Sequence, residues 1–239
     1  MSLCRHLSRG FTLVELAVAM FIIALLLGSI LVPLATQIEQ RQISDTQKKQ
    51  DEIKEALIGF ALANGYLPCP AVSAVNGQEG SRTAGLCTPR TGFLPWEALG
   101  VSRADGWGRL YRYSVTPTFA DNTNAFKLNS GADITVRTRD SAGALVNLTN
   151  SSTVPAIVIS HGKNGYGGTS ESGTGMALPT GWPASFADEN SNATGTTSFV
   201  SRPPQAPGAS GTGGEFDDIV TWVPLYVLLN RMVTAGKLP

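Results

Sequence analysis

The segment Arg9-Gly10-Phe11-Thr12-Leu13-Val14-Glu15 decides the fold, because it places one carboxylate at the head of an apolar run. From residue 11 to residue 34 the only ionisable side chain is Glu15. As a helix rising about 1.5 Å per residue, this run is long enough to cross a bilayer core of about 30 Å. A carboxylate in a bilayer costs roughly 2.5–3.5 kcal/mol on insertion scales, so it normally has a partner. The nearest conceivable cation is a free amino group on Phe11, which exists only if the chain is cut after Gly10.

Residues 1–10 have the composition of an export leader. They carry Arg5, His6 and Arg9 and no acid, as does the positive region of a secretory signal. An ordinary signal has a small-residue cleavage site after its apolar region, whereas this chain continues without one through residues 35–41. The residues alone leave two interpretations open, a leader cut before the apolar run and an uncleaved signal anchor.

The order of Gly10, Phe11 and Glu15 at the head of the apolar run resembles the signature of type IV pilins and of the pseudopilins of type II secretion. The resemblance implies that a prepilin peptidase cuts after Gly10 and methylates the new amino group of Phe11. It also implies that Glu15, the fifth residue of the mature chain, neutralises the Phe11 amine of an adjacent subunit during assembly.

The same resemblance implies an α+β, pilin-like fold, in which a long N-terminal α-helix packs on a small antiparallel β-sheet with long loops. The first half of the helix would be embedded in the membrane. The expected divisions are a cleaved leader at 1–10, a transmembrane and assembly part of the helix at 11–36, its amphipathic remainder at 37–63, and a periplasmic globular domain at 64–239. The protein is expected to cross the bacterial inner membrane once, with its C-terminal domain in the periplasm, and to enter a filament after assembly.

The residue pattern supports a helix that continues beyond the apolar run. Residues 37–62 contain no proline, are rich in Gln, Lys, Glu and Ala, and place Ile53, Leu57 and the pair Phe60/Ala61 at helical spacing. We therefore predict one helix over residues 12–63, with this apolar stripe packed on a sheet.

Two later segments rich in Gly, Ser, Thr and Pro, at 65–100 and 162–214, are expected to be loops. Apolar patterns predict strands, and a closing strand or helix, at residues 110–116, 134–139, 144–148, 154–160 and 219–232. The 154–160 run is uniformly apolar, which predicts a central strand covered on both faces.

Composition limits the classes of function. The chain has 18 Lys and Arg against 18 Asp and Glu with no basic stripe, so we expect no nucleic-acid partner. Of three cysteines, Cys4 lies in the leader, and the remaining pair, Cys69 and Cys87, predicts a disulfide in an exported chain. A zinc site would need more ligands than these two cysteines and the distant His161 provide.

Three pieces of the globular part resemble, in type and order, motifs of the major pseudopilins of type II secretion. They occupy residues 105–113, 159–168 and 217–222. In that family the last two pieces form a calcium site, which implies Asn164, Asp217, Asp218 and the main-chain carbonyl of His161 as ligands. Calcium accepts six to eight such oxygens. The residues alone also allow Asn164 to sit in a turn and the two acids to cap the final element.

No motif predicts an enzyme. The stretch Ser160-His161-Gly162 lacks the first glycine of a nucleophile elbow, and the only other histidine, His6, lies in the leader. We expect a structural subunit, a minor pilin or pseudopilin, whose partners are prepilin peptidase, other pilin subunits and inner-membrane lipid. Two alternatives stay open: an adhesin or cargo-binding module at a filament tip, and a membrane-anchored protein that does not assemble.

Overall fold

The structure is a computed structural model that describes residues 12–177, 186–206 and 212–238, with the backbone alone at 27–33. The chain forms two compact units, residues 1–41 and residues 42–239. One helix, α1 (Leu13–Asn64), runs through both units. The predicted long helix is therefore confirmed to within one residue at each end.

In the first unit, α1 presents apolar side chains in every direction. Ten large apolar side chains between residues 13 and 26 are 50–86% exposed. A helix that is apolar all round is normally covered by lipid or by protein. Within the described residues, no helical stretch combines the length and hydropathy needed to cross a membrane. The predicted span also draws on Phe11 and on the side chains of 27–33, which lie outside the described residues.

In the second unit, α1 turns its apolar stripe into the main core. Ile53, Leu57 and Ala61 are fully buried there. Phe60 is half-buried and contacts Tyr66 edge to face, with ring centroids 6.0 Å apart. The predicted stripe is confirmed, and of the pair Phe60 and Ala61 it is Ala61 that lies in the core.

A four-stranded antiparallel sheet receives this face of α1, which confirms the predicted α+β fold. Its strands, in spatial order, are β3 (Thr91–Phe93), β4 (Arg112–Val115), β7 (Ala156–Ser160) and β9 (Ile219–Val223). Helix α4 (Leu225–Thr234) follows β9 and buries Leu228 and Met232 in the same core. The closing segment thus forms both a strand and a helix.

Strand β7 is buried along its whole length, as its uniformly apolar sequence predicts. Ala156 and Val158 face the core shared with α1, whereas Ile157 and Ile159 belong to a second core on the opposite face. Alternate side chains along a strand point to opposite faces, so only a strand covered on both sides needs an apolar residue at every position.

The second core lies under a mixed sheet, of which the strands at 134–139 and 144–148 were predicted from the sequence and the third strand was not. Its strands, in spatial order, are β6 (Leu145–Asn147), β5 (Thr135–Arg139) and β8 (Ser198–Val200), and the β5–β8 pair is parallel. Strand β8 and helix α3 (Ala187–Thr194) both fall in the 162–214 segment, so the prediction that this segment contains only loops was wrong. Helix α3 buries Asp188, Glu189 and Asn192 instead of an apolar stripe, and such a helix leaves no hydrophobic period to detect.

The predicted disulfide is present between Cys69 and Cys87, whose Cα atoms are 5.3 Å apart. It fastens the 65–100 segment, which contains only short elements. These are β1 (Arg82–Thr83), β2 (Leu86–Cys87), β3 and the one-turn helix α2 (Trp96–Leu99).

Removing this bridge should destabilise the protein by about 3 kcal/mol, because the bridge closes a loop over a sequence separation of 18 residues and so limits the entropy of the unfolded chain. Denaturant unfolding of the detergent-purified Cys87→Ser chain would measure the loss. The matched control is Cys4→Ser, which removes a thiol in the leader and should leave stability unchanged. Equal stability of both variants would contradict a structural role for the bridge.

Candidate functional site: a buried acidic cluster

Three carboxylates meet where α3 packs beside the start of β9. Glu189 comes from α3, and Asp217 and Asp218 precede β9. One oxygen from each residue lies within 4.8 Å of the corresponding oxygens of the other two. Glu189 is 0% exposed and Asp218 is 6% exposed. Three acids so close together in a buried place repel one another unless a cation or protons intervene.

Each carboxylate uses one oxygen to hold its position. Glu189 Oε1 accepts hydrogen bonds from Asn164 Nδ2 at 2.8 Å and from the Asp217 backbone N–H at 3.0 Å. Asp217 Oδ2 accepts from the Asn164 backbone N–H at 2.7 Å, and Asp218 Oδ2 accepts from Asn192 Nδ2 at 2.8 Å.

Among the described residues, the second oxygen of each acid accepts no hydrogen bond. Glu189 Oε2, Asp217 Oδ1 and Asp218 Oδ1 are buried without a hydrogen bond from any part of the chain that the structure describes. The same is true of His161 Nδ1, which lies 3.5 Å from Asp218 Oδ1. Buried polar atoms are nearly always satisfied, so the three unsatisfied carboxylate oxygens of the cluster require an explanation.

The environment shifts Glu189 and Asp217 toward their neutral forms. Burial raises the pKa of Glu189 to about 8, and the neighbouring charge of Asp218 adds to the shift. Burial likewise raises the pKa of Asp217 to about 7, again with a contribution from Asp218. The cluster therefore resists full ionisation unless positive charge enters it.

A pH dependence of stability follows for the metal-free protein. Because the raised pKa values let the folded chain hold protons that the unfolded chain has released, the free energy of unfolding should fall as pH rises from about 5 to about 8. The expected loss is on the order of several kcal/mol, because one pKa unit corresponds to about 1.4 kcal/mol and the pKa of each acid is raised by more than one unit. Urea unfolding at several pH values with a chelator present would measure it. A free energy of unfolding that rises over this window would contradict the shifts.

Two arginines lie near the cluster, and in the part of the chain that the structure describes neither donates a hydrogen bond to its acids. Arg109 interacts with the charge of Asp217, and Arg112 with that of Asp218, although burial lowers the pKa of both guanidinium groups. The Arg109 guanidinium donates instead to the carbonyl oxygens of Gly162 and Lys163. Arg109 therefore fixes the loop that leads to Asn164.

Asp105 and Gly162 complete the support of this loop. Asp105 Oδ1 accepts from the Arg109 backbone N–H at 2.9 Å, and its Oδ2 accepts from Ser160 Oγ at 2.6 Å. Gly162 has φ of +54°, and a Cβ there would lie 2.3 Å from the carbonyl oxygen of Asp217. Only glycine permits this approach. The three sequence pieces at 105–113, 159–168 and 217–222 thus meet at one site.

The four residues singled out in the sequence lie together, but their donor atoms differ from expectation. Asn164 Oδ1 accepts from the Tyr166 backbone N–H at 3.0 Å, and its Nδ2 points to Glu189. The carbonyl of His161 accepts from the Gly165 backbone N–H at 2.9 Å, while its ring faces Asp218. The alternative, in which Asp217 and Asp218 cap a helix, finds no support, since the next element is the strand β9.

Glu189 was missed by the sequence analysis. It lies 28 residues before Asp217, in a polar helix that carries no recognised motif. Its neighbour Asp188 belongs to a separate, satisfied ion cluster, in which its carboxylate accepts from Arg139 and Arg202 at 2.7 Å.

At the other end of the chain, Glu15 finds a partner within its own helix. Its Oε2 accepts from the Thr12 backbone N–H at 2.9 Å and from Thr12 Oγ1 at 2.8 Å, and the Glu15 backbone N–H donates back to Thr12 Oγ1 at 3.3 Å. This reciprocal pair is a capping box. Gly10 and Phe11, the predicted processing site, lie outside the described residues.

Comparison with known proteins bears on this N-terminal segment. Residues 5–31 match the family model described as the prokaryotic N-terminal methylation motif. No curated protein and no solved structure matches the chain. Because residues 5–31 match this motif, the N-terminal region carries the signature of type IV pilin and pseudopilin precursors.

Proposed function

We propose that this protein is a structural subunit, a minor pilin or pseudopilin, of a type IV pilus or a type II secretion-like filament. Prepilin peptidase cuts it after Gly10 and methylates Phe11. The processed chain waits in the inner membrane with its globular domain in the periplasm and then joins the filament through its apolar helix. The methylation motif at residues 5–31 supports this proposal.

The observation that carries the proposal is the all-round apolar surface of α1 between residues 13 and 26. Such a surface is unfavourable in water, since each Å² of exposed apolar area costs roughly 25 cal/mol. Lipid would cover it before assembly, and the corresponding helices of other subunits would cover it afterwards. The same segment would then serve as anchor and as assembly surface.

A second part of the proposal concerns the acidic cluster. We infer that Glu189, Asp217 and Asp218 hold a divalent cation, for which the resemblance to major pseudopilins implies calcium. Three unpartnered oxygens in a buried site fit a cation that takes oxygen ligands. The cation would hold α3 and the segment before β9 against the sheet, and so would stabilise the globular domain.

A minor position is favoured over the filament shaft. The chain has a second core and a mixed sheet in addition to the four-stranded sheet. This extra bulk would be difficult to accommodate in a tightly packed filament shaft. The alternative is a tip-located module that binds an adhesion target or cargo.

Recovery of sheared filaments tests the proposal. The processed chain should copurify with filaments at a low ratio to the major subunit. Absence from filaments in cells that assemble them would contradict it. If the chain is present in filaments, binding of host cells or secreted cargo that depends on this chain would instead favour the tip module.

A further inference from the structure

Strand β6 (Leu145–Asn147) is an outer strand of the mixed sheet, and its outer edge is open. We propose that β6 pairs antiparallel with β6 of a second copy of this chain, about a two-fold axis through Val146. The three strands of each copy then join into one continuous sheet. This inference concerns the globular domain alone and is independent of leader processing, filament assembly and the cation.

The other outer strands of the two larger sheets are hydrogen-bonded to neighbouring segments. Strand β3 is continued by Ala71, which exchanges two backbone hydrogen bonds with Phe93. In β8, the N–H and the carbonyl of Val200 both bond to the side-chain amide of Asn192, at 2.8 and 2.9 Å. At the start of β9, the carbonyl of Ile219 accepts from a glutamine side chain of α1 at 2.7 Å.

Strand β6 has no such cover and no protective residues. Leu145 and Val146 are 40% and 39% exposed. Residues 141–153 contain no charged residue and no proline, the two residue types that natural proteins commonly use to protect an open edge. An exposed, uncharged and apolar edge is instead suited to accept another strand through main-chain hydrogen bonds.

The ladder with β5 determines which backbone groups of β6 point outward. The N–H of Leu148 donates to the carbonyl of Val136 on the β5 side at 2.9 Å. Because every second residue of a strand bonds to the same neighbour, Val146 also turns its backbone groups toward β5. Leu145 and Asn147 therefore turn theirs outward, and no hydrogen bond reaches those groups from the described part of the chain.

These outward groups are arranged to match a second copy of the same strand. A two-fold axis through Val146 sets Leu145 opposite Asn147 of the second copy, and the two strands exchange four backbone hydrogen bonds. Val146 then faces Val146 of the second copy at a non-hydrogen-bonded position, where Cα atoms are about 4.5 Å apart and side chains are closest. Such apolar cross-strand contacts stabilise a sheet.

The distribution of charge also favours a second copy as the partner. The charged side chains Arg137 and Arg139 lie one strand inward, on β5, and Arg139 is paired with Asp188. With strands about 4.8 Å apart, the two β5 strands would be separated by about 14 Å, which exceeds the Debye length of about 8 Å at physiological ionic strength. The full chain has 18 basic and 18 acidic residues, so two copies do not repel through net charge.

Cysteine cross-linking tests this register directly. In a Cys4→Ser background, Cys69 and Cys87 are bridged to each other and leave no other thiol. Mild oxidation of the detergent-purified Val146→Cys chain should yield a disulfide-linked dimer. The matched control is Leu148→Cys, which is 48% exposed in the wild-type chain. It should stay largely monomeric, because the two-fold pairing places the two copies of residue 148 about 13 Å apart, too far for a disulfide.

A proline variant tests the hydrogen bonds of the pair. The N–H of Asn147 points outward, so Asn147→Pro removes one hydrogen bond from each copy without removing a bond to β5. Association of the wild-type sequence, measured by sedimentation in density-matched detergent, should weaken at least tenfold. The melting temperature should stay within a few degrees of the wild-type value. Asn147→Ala, which keeps the N–H, should change association by less than threefold.

The contrary outcomes are distinct. Cross-linking of Val146→Cys no faster than that of Leu148→Cys would overturn the proposal, as would a wild-type chain that is monomeric at every accessible concentration. A dimer that Asn147→Pro leaves unchanged is formed by another surface, such as α1, and also overturns strand pairing. If Asn147→Pro does not fold, the cross-linking comparison still decides between these outcomes.

Discussion

Glu15→Gln should abolish incorporation of the protein into filaments while leaving membrane insertion and leader cleavage intact. Glutamine can occupy the same position of a capping box as glutamate, so the hydrogen bonds with Thr12 can persist. What the variant loses is the negative charge. If that charge pairs with the Phe11 amine of a neighbouring subunit, its loss leaves a cation without a partner in a low-dielectric environment, which is strongly unfavourable.

The comparison with Glu15→Ala makes this test sharper. Alanine removes both the charge and the cap, and loss of a cap alone is worth about 1 kcal/mol of helix stability. If pairing of charges drives assembly, both variants fail equally in a sheared-filament assay. If Glu15→Gln assembles normally and only Glu15→Ala fails, then the capping box is the function of Glu15 and the pairing role is wrong.

The second large effect is expected from Glu189→Gln. In the wild-type chain, a cation at about a thousand times its dissociation constant should stabilise the fold by about 4 kcal/mol. At roughly 2–4 °C per kcal/mol for a domain of this size, the melting temperature should rise by about 8–16 °C. The variant removes one buried ligand, so most of this gain should be lost.

Without metal, Glu189→Gln is expected to change the stability in the opposite direction. This difference in sign makes the experiment discriminating. Glu189→Gln also removes a carboxyl group that the folded chain must keep protonated because burial and the charge of Asp218 oppose its ionisation, so the chelated variant should be at least as stable as the chelated wild type. Thermal unfolding of the detergent-purified chain, with chelator and with added Ca²⁺ or Mn²⁺, measures both quantities. The matched control is the exposed Glu97→Gln, which should retain the full response to the cation. An unchanged response in Glu189→Gln would remove this residue from the site.

The long elements of the fold were predictable because their patterns are local. An apolar run followed by an apolar stripe predicts the 52-residue helix α1. Strand β7 was predictable because both of its faces are covered, which requires an apolar side chain at every position. The capping box between Thr12 and Glu15 was also readable from the spacing of these two residues, but the sequence analysis did not predict it.

The acidic cluster was only half predictable. Asp217 and Asp218 stand out as adjacent acids before an apolar segment, and Asn164 lies in a glycine-rich turn. Glu189 reaches them only through tertiary packing of α3, a helix that buries polar side chains. Since no hydrophobic period and no fixed spacing links Glu189 to the aspartates, local patterns carry no signal for it.

The central claim, that this chain is a processed pilin-like subunit, is tested most directly by the mass of its N-terminal peptide after expression in cells that contain prepilin peptidase. The account predicts a mature chain of 229 residues that begins at Phe11 and carries one methyl group on its amino nitrogen. A chain that still begins at Met1 under these conditions would contradict it.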